Sequence, residues 1–251
     1  MGNNYIKNYL TCVIARIDFL SRLNSLKEEL SPDVVATSIK YFPVPEPKEI
    51  KGIEFLIGHQ LDRLERKETT TKEWNFHGKE RDKRLLINQE HMFVEFTVYK
   101  SFDDLTTHFI AVVDSLFDTF SELQVRRLGL RYINTLDIPG SNIFRWNAYL
   151  NRDLLSIFNV PSDKTKIIRA FHNLELNFGD FTLRFQYGMQ NPDYPAPIKR
   201  KLFILDYDAY TTGLLTKEDI HQSLPIFHEG IEHLFENSIT DKLRAKMNVE
   251  R

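Results

Sequence analysis

The chain has 251 residues, 42% apolar and 12% aromatic, enough for one large domain or two small ones with a core that needs no disulfide or metal staple. Lys and Arg (33) nearly cancel Asp and Glu (35), and a net charge of −2 excludes a histone-like nucleic-acid binder while permitting a local basic patch. A single cysteine, Cys12, excludes a disulfide framework or Cys-based zinc cluster, and neither a membrane span nor a signal peptide is legible, so a soluble, cytoplasmic protein is expected.

In chain order, residues 12–19 alternate with period two. Val13, Ala15, Ile17 and Phe19 share one face, and Arg16 and Asp18 the other. Ser31, Pro32 and Asp33 then start a short helix to Tyr41, which Pro43, Pro45 and Pro47 stop in favour of an extended segment. Residues 53–99 read as a meander of strands at 55–66, 73–78, 84–88 and 91–99. The last of these alternates Phe93, Glu95, Thr97 and Tyr99 against Met92, Val94, Phe96 and Val98. Ser101 with Asp104 resembles a capping box, and Leu105, Phe109, Val112, Val113, Leu116, Phe117, Phe120 and Leu123 follow at helical spacing.

The order then recurs. Residues 127–137 form a strand, 142–158 a helix, 167–177 and 180–189 two strands around Gly179, and 201–207 a further strand. Thr216 and Asp219 cap a long helix through Ile220, Leu224, Phe227, Ile231, Leu234 and Phe235, with Ile239, Leu243 and Met247 as its continuation. The expected fold is α+β: a duplicated unit, residues 1–124 and 125–251, packed as one continuous antiparallel sheet with the long helices on a single face. A saddle of the TATA-binding-protein type has this element order, and a helix-grip arrangement is the rival; neither carries a function.

One string is distinctive: Arg127, Leu128, Gly129, Leu130, Arg131, Tyr132, Ile133, Asn134, Thr135 and Leu136. With Asp206-Tyr207-Asp208, and with His228 followed by Ile231, Phe235 and Ser238-Ile239-Thr240-Asp241-Lys242-Leu243, it resembles a sporadically distributed family of bacterial proteins without an assigned activity. The resemblance is strongest from about residue 92 onward and weaker before it. It implies a context of horizontally moved accessory genes, defence loci among them, and no particular chemistry.

Three constellations carry candidate chemistry. His228 and Glu232 share a helix face, and Asp206 and Asp208 share a strand face, so Asp206, Asp208 and His228 are candidate ligands of a divalent metal, with Asp180 or Glu175 as helpers. The bland alternatives are a solvated helix surface and a strand end. Basic residues, notably Arg81, Arg84, Arg127 and Lys201, lie near Trp74, Phe76, Tyr187 and Tyr194 in sequence, as a nucleic-acid surface would require; charged hairpin ends are the alternative. Arg131 and Asn134 have opposite parity in one apolar strand, and Asp18, Glu95 or Asp206 is the expected partner of a buried Arg131. A nucleophile elbow and a glycine-rich phosphate loop are absent from the sequence, and Cys12 reads as an inert small hydrophobe.

The expectation is therefore a non-enzymatic binding or accessory protein without a cofactor. Its partner is a protein or a nucleic acid, with a homodimer through a sheet edge as a further possibility. The alternative is a metal-dependent nuclease or phosphoesterase on Asp206, Asp208 and His228.

Overall fold

The computed structural model describes residues 5–57, 64–140 and 142–248. It is an α+β protein built on a large antiparallel sheet. The first elements are β1 (Leu10–Phe19), α1 (Pro32–Tyr41), β2 (Val44–Pro45), β3 (Lys48–Ile57), β4 (Leu64–His77), β5 (Lys83–Ile87), β6 (His91–Phe96) and α2 (Phe102–Thr119). After them come β7 (Val125–Asp137), β8 (Ala170–Asn177), β9 (Thr182–Met189), β10 (Leu202–Leu215), α3 (Lys217–Ser238) and α4 (Asp241–Met247). The strand expected at 55–66 falls partly on residues 58–63, which lie outside the described residues; around them β3 and β4 pair from Lys48↔Glu73 to Ile57↔Leu64.

The sheet runs β2-β4-β5-β6-β1-β7-β10-β9-β8, with β3 paired to β4. Each of β1 and β7 pairs outward with the last strand of the meander that follows it, β6 and β10, so the order is symmetric about the central β1/β7 ladder. Strand alternation divides the sheet into two unlike faces. On one, Val13, Ala15, Ile17, Leu128, Leu130, Phe203, Leu205 and Tyr207 are buried beneath the helices. On the other, Arg16, Asp18, Arg127, Arg131, Asp206 and Asp208 stand among uncharged residues such as Ile14 and Gly129.

α2 and α3 lie side by side on the apolar face. Ion pairs from Lys217 to Asp114 and Asp118, and a hydrogen bond between His221 and Asp114 at 2.8 Å, tie the two helices together. α2 starts as expected, with the Ser101 hydroxyl accepting from the Asp104 amide. α3 starts in a full capping box, Thr216 accepting from the Asp219 amide and Asp219 accepting from the Thr216 amide.

Two expectations need correction. Residues 142–158 are turns followed by a 3-10 segment, Arg152–Asn159, rather than a helix. The Asn142 and Asn151 carboxamides accept from the Phe144 and Asp153 amides, and such Asx turns compete with the helical backbone pattern. The C-terminal helix does not run through Ile239: Leu150 and Ile239 form a β-bridge, the Asn151 and Thr240 amides donate to Ser238 and Tyr149 carbonyls, and the chain restarts as α4.

Candidate functional site

The charged face of the sheet is the most organised polar surface among the described residues. Cross-strand register places Asp18 opposite Arg127, Arg84 opposite Glu95, and Arg131 and Arg184 on either side of Asp208. These neighbours pair. Glu175 accepts from Arg184 at 3.0 Å, Arg184 lies 3.9 Å from Asp208, Arg127 lies 3.5 Å from Asp208 and 3.6 Å from Asp18, and Asp18 accepts from Arg16 at 2.6 Å. The chain of charges thus crosses β8, β9, β10, β7 and β1.

Two shorter pairs flank it. Arg131 donates to both oxygens of Asp206, at 2.8 and 2.6 Å, and Arg84 donates to Glu95 at 2.8 Å. Five arginines therefore stand among five carboxylates, and the face is close to electroneutral. Aromatic rings support the guanidinium groups, with Arg84 5.0 Å from the Phe93 centroid and Arg127 4.9 Å from that of Tyr210.

At the centre lies a depression of about 310 Å³, lined by Ile14, Arg16, Arg84, Arg127, Gly129 and Arg131, among others. Gly129 has a positional reason here: a Cβ at this point would meet the Arg127 guanidinium at 3.0 Å. Its missing side chain makes room for Arg127 to lie between Asp18 and Asp208.

The electrostatics follow from burial and pairing. Hydrogen bonding to Asp206 raises Arg131 and hydrogen bonding to Glu175 raises Arg184, so both remain charged. Burial pushes the Asp208 carboxyl up, against the pull of Arg127, Arg131 and Arg184. Burial and the neighbouring Glu95 push the Cys12 thiol up to about 12, and its Sγ donates to Glu95 at 3.4 Å. A thiol shifted this way stays protonated near neutral pH, and Cys12 sits on the charged face rather than in the apolar core.

The residues singled out from the sequence separate into groups. Arg84, Arg127, Arg131, Asp206 and Asp208 come together on the charged face. Arg81 is held by Glu46 in a bidentate pair beside the β4–β5 turn, apart from the network. Lys201 lies over the rings of Trp146 and Tyr149, at 5.1 and 5.8 Å. Asn134 is buried at 4% exposure on the helix side, the parity opposite to Arg131. Phe76 is buried and the Trp74 indole donates to the Leu26 carbonyl, so neither ring is an open stacking platform.

The metal triad is a correction. Asp206 faces the charged side with Arg131, whereas His228 accepts or donates at 3.1 Å to Tyr132 Oη on the helix side. A sheet stands between them, because Tyr132 and Arg131 are consecutive and point to opposite faces. Among the described residues, no group of three or more His, Cys, Asp or Glu side chains is arranged to hold a metal ion. Glu175 is engaged by Arg184 and Asp206 by Arg131.

Arg16, Asp18, Glu95, Glu175, Arg184 and Tyr210 also belong to the network. A readable signal existed for most of them: each occupies the polar parity of an alternating strand. Which polar residues become neighbours depends on strand order and register, which alternation does not specify. Neither the known protein families nor the curated proteins include a match to this chain. Among the described residues, no helix is long and apolar enough to cross a membrane.

Proposed function

We propose that the chain is a non-enzymatic binding protein that recognises a protein partner through the charged face of its sheet. The observation that carries this reading is that Arg16, Arg84, Arg127, Arg131 and Arg184 are each paired to a carboxylate. A nucleic-acid surface works by neutralising phosphates and needs uncompensated positive charge. An alternating, ring-supported Arg–carboxylate lattice around a shallow depression instead suits a protein surface of complementary pattern, where arginine and aromatic residues are enriched and paired charges set register.

The symmetric strand order belongs to the same proposal. Residues 1–124 and 125–251 are read as a duplicated unit, and the sheet as a saddle of the TATA-binding-protein type whose helix-free face meets the partner. Two helices lying side by side, α2 and α3, favour the saddle over a grip around one long helix. The resemblance in residues 127–136 would place the protein in a bacterial accessory setting such as a defence or mobile-element locus. A homodimer through the β8 edge is a further form of partner; the Glu175–Arg184 pair and the exposed Leu174 lie along that edge.

The test is a binding comparison between wild type and a variant with Arg84→Glu and Arg184→Glu, which breaks the lattice at both flanks. A protein retained from the host extract by wild type and released by the variant, with no shift of labelled DNA or RNA, supports the reading. A salt-sensitive nucleic-acid shift lost in the variant overturns it in favour of nucleic acid. Cleavage that requires Mg²⁺ or Mn²⁺ and is lost in Asp206→Ala overturns it in favour of a nuclease.

A further inference from the structure

A second cavity, about 470 Å³, lies on the helix side where the start of β1, the start of α2 and the middle of α3 meet. That size is within the range of small-molecule sites. Its construction differs from that of the charged face. Tyr99, Phe102, Tyr132 and Phe235 supply aromatic wall. Tyr99 and Tyr132 hydroxyls are 3.1 Å apart, Tyr132 is in turn 3.1 Å from His228 Nδ1, and Phe102 stacks on the His228 ring at 4.1 Å and 5°. These contacts fix the rings relative to one another along one wall of the cavity.

Two polar features point into this aromatic chamber. Asn134 lines it at 4% exposure, and its carboxamide makes no side-chain hydrogen bond among the described residues. A carboxamide at the wall of the cavity offers a bound molecule two donors and two acceptor sites, which a leucine at this place would not. The chamber also carries carboxylates: Asp103, Glu229, Glu232 and Glu236 line it, against one cation, Lys100, among the described lining residues. Glu236 is engaged by Tyr5 and Arg244, while Asp103 and Glu229 are exposed. Burial keeps His228 toward its neutral form, so it adds no compensating positive charge.

We propose that this cavity binds a small planar organic cation, an aromatic or heteroaromatic amine. Its ring lies among Tyr99, Phe102 and Tyr132, its hydrogen-bonding edge meets the Asn134 carboxamide, and its charged nitrogen faces the carboxylates of the lining. Aromatic faces and carboxylates attract the same sign of charge, and together they select against anions. The site is independent of the charged face on the other side of the sheet.

Calorimetric titration of the full chain with three probes of one shape tests this: 2-naphthylmethylammonium, 2-naphthylmethanol and 2-naphthoate. The cation is expected to bind at least tenfold more tightly than the anion, with the alcohol between them. Asn134→Leu is expected to weaken the cation about tenfold, the scale of one lost buried hydrogen bond. Since that variant changes a buried position, Asp103→Asn with Glu229→Gln, both at exposed positions, provides the second measurement. It should remove the cation preference and leave the alcohol unchanged. Equal binding of cation and anion, a cation preference that survives Asp103→Asn with Glu229→Gln, or no saturable binding of any probe would overturn the proposal.

Discussion

Arg131 and Asp206 make the only bidentate arginine–carboxylate contact on the charged face among the described residues, with the Asp206 side chain 8% exposed and the Arg131 side chain 40% exposed. That asymmetry decides the energetics. Asp206→Ala removes two charge-assisted hydrogen bonds and costs about 2 kcal/mol in urea unfolding. The exposed Arg131 then rehydrates, so the double-mutant cycle with Arg131→Ala gives a coupling of only about 1 kcal/mol, smaller at high salt. A coupling indistinguishable from zero would mean that the pair contributes nothing to stability. Of the three partners that parity allows for Arg131 (Asp18, Glu95 and Asp206), geometry selects Asp206, while Asp18 goes to Arg16 and Arg127 and Glu95 to Arg84. Alternation in the chain was enough to define the charged face of the central strands. It was silent on diagonal against direct pairing, and on the sheet that divides His228 from Asp206.

At the scale of elements, α3 begins where local chemistry demands it. Thr216 and Asp219 satisfy each other's backbone amides, and replacing Thr216 with Ala leaves the Asp219 amide without its acceptor. The expected cost is about 1 kcal/mol, read as a lower urea midpoint with an unchanged slope. A changed slope would instead show that the helix start is tied to how much of the chain unfolds together. Elements of this kind, with their determinants inside a few residues, were legible: β1, α1, α2 and the start of α3. The turns at 142–158 were not, because Trp146 is buried against Phe203, 5.4 Å away in a distant strand, and the aromatic spacing that resembles a helix serves that contact. The end of α3 was hidden for the same reason: the docking of Ile239 on Leu150 is a contact between distant segments.

For the whole molecule, the partial burial of histidines has a consequence in acid. His108 and His228 on the helix side, and His77 and His91 on the opposite face, all have their pKa lowered, with burial the leading cause in each. His108 is the clearest case: it is 8% exposed, sits among the rings of Tyr41, Phe42 and Phe96, and its Nδ1 has no hydrogen-bond partner among the described residues. Well above pH 6.5 these histidines are neutral in both the folded and unfolded chain and add no pH dependence. As pH falls below that, the unfolded chain takes up protons that the folded one resists, so stability falls through the window between the unfolded pKa and the lowered folded values. Asp208, whose pKa is raised, acts with the opposite sign, because its folded form takes up a proton more readily as the medium becomes acidic. Its folded form begins to take up a proton above the ordinary carboxylate range and so gains stability on acidification, which leaves the loss to the histidines. Melting temperature should therefore decline from pH 7 toward pH 5, and His108→Leu, which removes one resisted proton and one unpaired nitrogen, should make the decline shallower. If the variant kept the full slope, the acid sensitivity would have to come from groups outside the aromatic box, and His108 would be at most a bystander in a core that tolerates its charge.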